Sequence, residues 1–212
     1  MEGEESLRAR KRRLRREMNR VLEELGAREI ARRSEELTRH LLASPAWRDS
    51  SGVLAFASMP LEVQTDRLLE EARRAGKRVA LPRIVGDLLV FHELVDDPPR
   101  LVRHVWGIRE PLPEAPVADL LDSPRWEKPL VLVPGLAFDL QGHRLGRGRG
   151  FYDRFLSAAV ESGGYPRTLA LCLDAQVLEA VPAGTGDFRV QGLVTESGFY
   201  PTVESFPDTA PG

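Results

Sequence analysis

The run Leu130-Val131-Leu132-Val133-Pro134-Gly135-Leu136-Ala137-Phe138, followed by Gly142-His143-Arg144-Leu145-Gly146-Arg147-Gly148-Arg149-Gly150-Phe151-Tyr152-Asp153-Arg154, decides how this chain is read. The first part is apolar and broken only by Pro134-Gly135, which predicts a buried strand delivering the glycine-rich segment to the end of a sheet. In the second part Gly146, Gly148 and Gly150 remove side chains at every second position, so the backbone can turn through positive φ and bring its N–H groups close to an anion. Arg144, Arg147 and Arg149 are threaded among those glycines. From Phe151 the spacing becomes helical, with Phe155, Leu156, Ala159 and Val160 on one face. A helix N-terminus adds donors and partial positive charge, and Tyr152 and Asp153 sit just inside it, a neutral hydrogen-bonder and a carboxylate where a phosphate-bound metal could be met. Strand, basic glycine loop and helix read together as a phosphate site, against the plainer reading of an arginine-rich turn that caps a helix. No Gly-Lys-Ser/Thr closes the loop and the dinucleotide-binding spacing is incomplete, so neither of those phosphate signatures is present.

Outward from this stretch, 212 residues suit one substantial core, and no repeat or long linker asks for a second. The expected organisation is a single domain over 1–212, with a basic N-terminal helix over 1–26 and a partly ordered tail over 201–212. A net charge of -2 argues against a protein that coats nucleic acid by bulk attraction, so local basic clusters must carry any anion binding. Cys172 is the only cysteine and lies between Leu171 and Leu173, the setting of a buried structural thiol. The charged N-terminus and the lack of a long apolar run predict neither signal peptide nor transmembrane helix, and hence a cytoplasmic protein.

Leu7, Leu14, Met18, Val21, Leu22 and Leu25 recur at helical spacing up to a stop at Gly26. The opposite face carries Arg8, Arg10, Lys11, Arg12, Arg13, Arg15, Arg16 and Arg20, open to reading as a solvated face, a targeting signal, a nucleic-acid arm or one wall of an anion site. A second helix is expected from Arg28 to Ala43, ended by Ser44-Pro45. Val53 to Ala57 reads as a strand, Thr65 as the N-cap of a helix through Leu68, Leu69 and Ala72, and Val79 to Leu81 as a strand stopped by Pro82. Glu62 then falls just past the carboxyl end of a strand, where open α/β sheets place ligand-facing loops. Leu88 to Leu94 is a hairpin partner after Gly86-Asp87. Asp96 to Pro129 shows little regular pattern apart from Val105-Trp106-Gly107-Ile108, a long loop of the kind that shapes a pocket or simply connects. Thr168 to Leu173 and Val190 to Thr195 are further strands, with a short helical turn from Asp174 to Ala180 and Asp187 in a flexible turn between them.

Four separated pieces resemble one family. Lys11-Arg12-Arg13-Leu14-Arg15, Glu62-Val63-Gln64-Thr65, the stretch from Pro134 to Asp139 with Arg144 to Arg154, and Asp187 are similar in order and spacing to the 5-formyltetrahydrofolate cyclo-ligases, or methenyltetrahydrofolate synthetases. The resemblance implies a ligase on an α/β fold, a single three-layer αβα domain with a mixed, mainly parallel sheet. It implies an ATP- and Mg²⁺-dependent reaction, in which the formyl oxygen of 5-formyltetrahydrofolate is phosphorylated and N10 then closes the 5,10-methenyl ring, releasing ADP and phosphate. Phosphoryl transfer of this kind asks for positioning and charge stabilisation, and the chain offers no obvious triad.

By the same resemblance Lys11 and Arg15 are ATP phosphate contacts, and Arg144, Leu145, Gly146, Arg147, Gly148, Arg149, Gly150, Phe151 and Tyr152 form the nucleotide loop. Asp153 and Asp187 are the magnesium carboxylates. Glu62 accepts the pterin N–H groups and Trp106 lines the folate pocket. Tyr152 lies beside the formyl group, and Tyr152 and Arg149 are the catalytic candidates. The chain departs from the family at Arg149, where Lys or Gly is usual, at Phe151, where Tyr is usual, and at Gly186, where His or Asn precedes the late acid. The partners implied are a folate and ATP, with no nucleic acid or membrane, and a monomer is expected with a dimer left open. Two other readings stand beside it: a nucleotide-dependent paralogue acting on another small molecule, and an RNA-binding module using the arginine-glycine loop.

Overall fold

The computed structural model describes residues 6–118, 126–162 and 166–202. A seven-stranded sheet forms its centre. Strands β1 (Gly52–Leu54), β2 (Arg78–Val85), β6 (Pro129–Val133), β9 (Arg167–Leu171) and β10 (Gly192–Val194) run parallel. Antiparallel β3 (Leu88–Glu93) and β11 (Phe199–Pro201) close its two edges, giving the order β11-β10-β9-β6-β1-β2-β3. The sheet is therefore mixed and mainly parallel, as the resemblance implied.

Period-two alternation divides the strand residues between two cores. Val53, Val79, Leu81, Leu130, Leu132, Leu169 and Leu171 face a core shared with α1 (Leu7–Ala43), α2 (Pro45–Asp49) and α3 (Asp66–Arg74). Their neighbours Leu54, Ala80, Val131, Val133, Ala170 and Cys172 face a second core with Leu156 of α4 (Phe151–Glu161). Helices on both faces of the sheet make the three layers. Truncating a fully buried strand residue such as Leu132 to Ala would cost about 2–5 kcal/mol.

Several local expectations are corrected by the packing. Gly26 does interrupt the first helix, since its φ of 74° and ψ of 155° break an otherwise continuous α1 and separate the two expected helices by a kink. Pro45 does not only end that helix but opens α2, whose N-cap is Ser44. Pro82 does not stop β2. Ala80 turns its carbonyl toward β1, accepting from Ala55 N–H at 2.9 Å, so by alternation the missing N–H of Pro82 faces the side where β1 has already ended. The apolar run 130–138 is two strands: β6 stays in the sheet, while β7 (Ala137–Phe138) pairs with β8 (Arg144–Leu145) in a separate ribbon beyond Pro134-Gly135. The stretch 96–129 contains a hairpin, β4 (Leu101–Arg103) with β5 (Arg109–Pro111), whose shortness and charge hid its alternation. β1 covers only the start of Val53 to Ala57, β10 only the middle of Val190 to Thr195, and the helical turn after Asp174 is a 3₁₀ turn, Asp174–Gln176. Thr65 precedes α3 but makes no side-chain cap; its hydroxyl donates instead to the Phe56 carbonyl at 2.6 Å. Of the tail, Pro201 is in β11 and Thr202 is buried, while 203–212 lie outside the described residues. No helix among the described residues is long and apolar enough to cross a membrane.

The chain moves from β1 outward to β2 and β3, then returns to the other side of β1 with β6 and continues to β9 and β10. Connections leave β1 and β6 in opposite directions, so a crevice must open beyond their carboxyl ends.

Candidate active site

A cleft of about 530 Å³ opens at this switch point, floored by Phe56 and Ala57 after β1 and by Pro134 and Gly135 after β6. All the residues expected at the site line it: Lys11 and Arg15 from α1, Glu62 from the loop after β1, Trp106 from the tip of the β4–β5 hairpin, Arg144 through Asp153, and Asp187.

The cationic end is built first from α1. Lys11 and Arg15 are one turn apart and share a face. They are half-buried, whereas Arg8, Arg10, Arg12, Arg13, Arg16 and Arg20 are exposed, so the basic face divides into a cleft wall and a solvated remainder. Lys11 Nζ donates to Asp187 Oδ2 at 2.5 Å, and Arg15 Nε donates to the Gly146 carbonyl at 2.8 Å. Burial pushes the Asp187 carboxyl up, but hydrogen bonds from Lys11 and the Gly184 N–H, with the charges of Lys11 and Arg144, outweigh it and hold the group below its ordinary value.

The loop itself turns where it must be glycine. Gly148 has φ 103° and Gly150, the N-cap of α4, has φ 67°. Arg154 fastens the loop, donating to the carbonyls of Arg149 at 3.0 Å and Asp87 at 2.6 Å. Arg144 is buried and donates to Asp153 Oδ1 at 2.7 Å; the same oxygen accepts from the Phe188 N–H at 3.2 Å, which brings Asp153 beside the Asp187 turn. Among the described residues no three His, Cys, Asp or Glu gather into a metal cluster. The carboxylates of Asp153 and Asp187, on neighbouring turns beside a cationic glycine loop, nevertheless have donor chemistry that fits Mg²⁺, an ion that takes one or two carboxylates and completes its shell with phosphate oxygens and water.

The other end of the cleft is apolar, walled by Pro82, Ile84, Leu89 and Ile108 with Trp106 at the rim. Glu62 reaches in from a loop tied down on all sides. Its Oε2 accepts from the Met59 N–H at 2.9 Å, its neighbour Gln64 donates through N–H to Ser34 Oγ at 2.9 Å, and Leu61 holds φ 64°, a conformation seldom adopted outside glycine. Glu62 Oε1 accepts from Arg147 Nε across the cleft at 2.9 Å. Arg149 lies 4.7 Å above the Trp106 ring, a cation–π contact at the mouth, so it stands over the rim and not on the cleft floor. Phe151 lies 6.2 Å from the same indole, its ring tilted at 41° to it.

Between the two ends sits Tyr152. Its hydroxyl and Arg144 Nε are buried polar atoms with no hydrogen-bond partner among the described residues. Burial, assisted by the Glu62 charge and opposed by Arg144, pushes the phenol far above its ordinary value, so it stays a neutral donor. Buried donors left unpaired in a cleft lose about 1–3 kcal/mol each unless a ligand meets them.

Two contributors have no role in the sequence reading, Asp139, named only as the end of its motif, and Glu110. Buried Asp139 accepts from the N–H groups of Gln141, His143 and Val181 and from His143 Nδ1, and so shapes the turn that feeds β8. Buried Glu110 lines the cleft. A lone acid in an irregular stretch carries no spacing signal; only its burial marks it.

Known proteins resemble the chain over most of its length. The family model described as the 5-formyltetrahydrofolate cyclo-ligase family matches residues 7–196. A probable 5-formyltetrahydrofolate cyclo-ligase of Schizosaccharomyces pombe is 30% identical over 195 residues, covering 87% of this chain and 94% of the relative. The 5-formyltetrahydrofolate cyclo-ligase of Mus musculus is 30% identical over 191 residues, with coverages of 88% and 93%. Among solved structures, the 5,10-methenyltetrahydrofolate synthetase of Aquifex aeolicus superposes with a TM-score of 0.77 at 28% identity, over 94% of this chain and 96% of that one.

Proposed function

Since this chain belongs to the 5-formyltetrahydrofolate cyclo-ligase family and is a ligase, we propose that its cleft converts 5-formyltetrahydrofolate to 5,10-methenyltetrahydrofolate at the expense of ATP and with Mg²⁺. The single observation that carries this reading is that one cleft joins a cationic glycine loop to an apolar wall bearing Glu62 and Trp106, with the unpaired Tyr152 hydroxyl between them.

In this reading Lys11, Arg15, Arg144 and the N–H groups from Gly146 to Gly150 hold the triphosphate, aided by the N-terminus of α4. Asp153 and Asp187 hold Mg²⁺, which would neutralise phosphate charge when bound. Glu62 accepts from the pterin N–H groups, and Ile84, Leu89, Ile108 and Trp106 exclude water from the ring. The formyl oxygen attacks the γ-phosphorus as ADP departs. N10 then bonds the activated formyl carbon, its proton leaves, and the carbon–oxygen bond breaks to release phosphate. Tyr152, kept neutral by burial, donates to the formyl oxygen or the phosphate it acquires. Arg149 stands at the mouth as a further cation for the transferred group.

The test is absorbance at the methenyl band with 5-formyltetrahydrofolate, Mg²⁺ and ATP, beside a control without ATP. A rise that requires ATP is expected. ATP binding without any rise would refute the folate reading and leave a nucleotide enzyme for another small molecule.

A further inference from the structure

Glu110 is 1% exposed and borders the cleft, yet the reaction above gives it no part. Its partners explain its presence. β2 runs on beyond the end of β1, so the alternate N–H groups on its β1-facing side lose their strand partner. Pro82 has no N–H to lose, but Ile84 has one, and Glu110 Oε1 accepts it at 3.0 Å. Glu110 Oε2 lies 3.4 Å from Arg83 Nη1, which donates to the Pro111 carbonyl at 2.9 Å. The carboxylate thus clamps β5 to the free flank of β2.

That clamp matters because the β4–β5 hairpin is not hydrogen-bonded as a strand pair into the seven-stranded sheet. Its tip is a tight turn, with Gly107 N–H donating to the His104 carbonyl at 2.8 Å, and it presents Trp106 and Ile108 to the cleft. Among the described residues, Arg149 and Phe151 also touch the Trp106 ring at the tip, and a further side-chain tie from β5, Arg109 to Asp66 at 2.7 Å, is exposed, where such pairs hold weakly. We infer that Glu110 is a positioning residue that fixes Trp106 and Ile108 over the apolar end of the cleft and thereby sets affinity for the pteridine substrate, without touching the reacting atoms. The inference rests on the folate reading of that end.

In Glu110→Ala the KM for 5-formyltetrahydrofolate should rise about tenfold while kcat and the KM for ATP stay within about twofold. Glu110→Gln, which keeps an oxygen for the Ile84 N–H, should recover most of that loss. In a Trp106→Ala background the Glu110→Ala change should add clearly less than it does in the native protein, because the ring it positions is gone and only Ile108 remains to be displaced. An unchanged folate KM in Glu110→Ala would overturn the inference, as would full additivity with Trp106→Ala. So would a Glu110→Gln variant as impaired as Glu110→Ala, which would point to direct contact between the carboxylate and the substrate. If Glu110→Ala does not fold, Arg83→Met opens the other end of the clamp and should raise the folate KM alone; a wild-type value there overturns the inference.

A second readout needs no turnover. The Trp106 fluorescence, taken as the difference from Trp106→Phe, should become more accessible to acrylamide in Glu110→Ala and remain native-like in Glu110→Gln. Identical quenching in all three proteins removes the positioning role. A native protein that makes no methenyl product from 5-formyltetrahydrofolate in the presence of ATP refutes the folate reading instead, and the quenching result still decides whether Glu110 sets the ring.

Discussion

Replacing Glu62 by Gln separates the two ends of the cleft. The side chain is 13% exposed, with Oε1 accepting from Arg147 and Oε2 from the Met59 N–H. Glutamine retains one acceptor oxygen, so the Met59 bond can survive and the loop keeps its shape, while the second acceptor becomes a donor. Arg147 is 42% exposed and regains water, so the loss of that pair should lower stability by no more than about 1 kcal/mol, or about 4 °C in Tm at most. Substrate binding suffers more. A pterin N–H facing an amide in place of a carboxylate forgoes a charge-assisted bond of about 1.5–3 kcal/mol, which is about 10- to 100-fold in folate KM. Initial rates of methenyl formation, with each substrate varied in turn, should show that rise for the folate and less than about a twofold change for ATP. A folate KM left within about twofold, or an ATP KM rising in step with it, would refute the assignment of Glu62 to the pterin.

Tyr152→Phe should lower kcat by about 100-fold, the usual scale for one lost donor to developing charge, while the Tm of the ligand-free protein should rise, because the change removes a buried hydroxyl that has no partner among the described residues. Asp187→Asn should raise the Mg²⁺ concentration needed for half-maximal rate, read by titrating the metal. Because the folded-state value of Asp187 lies below its ordinary 3.8, its stabilising contribution is present above that pH and is lost as pH falls through the folded value. The Tm deficit of Asp187→Asn should accordingly be constant near neutrality and shrink in acid below about pH 4, as followed by thermal unfolding across pH. Gly148→Ala places a Cβ at φ 103°, 3.3 Å from the Arg15 guanidinium carbon, and should raise the ATP KM while costing about 1–3 kcal/mol in denaturant unfolding.

The parallel core was legible because fully buried strands need apolar residues on both faces, as Val53-Leu54 and Leu130 to Val133 display. The glycine loop was legible for a related reason, since close backbone approach excludes side chains. Hairpin β4–β5 was not, because three-residue strands such as Leu101–Arg103 are too short for periodicity to rise above a charged background. Pro82 misled for a different reason. Whether a missing N–H ends a strand depends on whether a neighbour stands on that side, and β1 stops at Leu54.

The basic face of α1 marks the same boundary at the site. Its eight cations look alike along the chain, and the amphipathic pattern says only that they lie opposite the apolar stripe. The family resemblance picks out Lys11 and Arg15, and contact with the Asp187 turn and the Gly146 carbonyl sets these two on the cleft wall. Sequence by itself determined which residue types could meet phosphate and pterin, since that chemistry resides in each side chain. Tertiary structure decided which of them share one cleft, and that Glu110 belongs beside them, because burial and distance arise only when segments far apart in the chain are packed together.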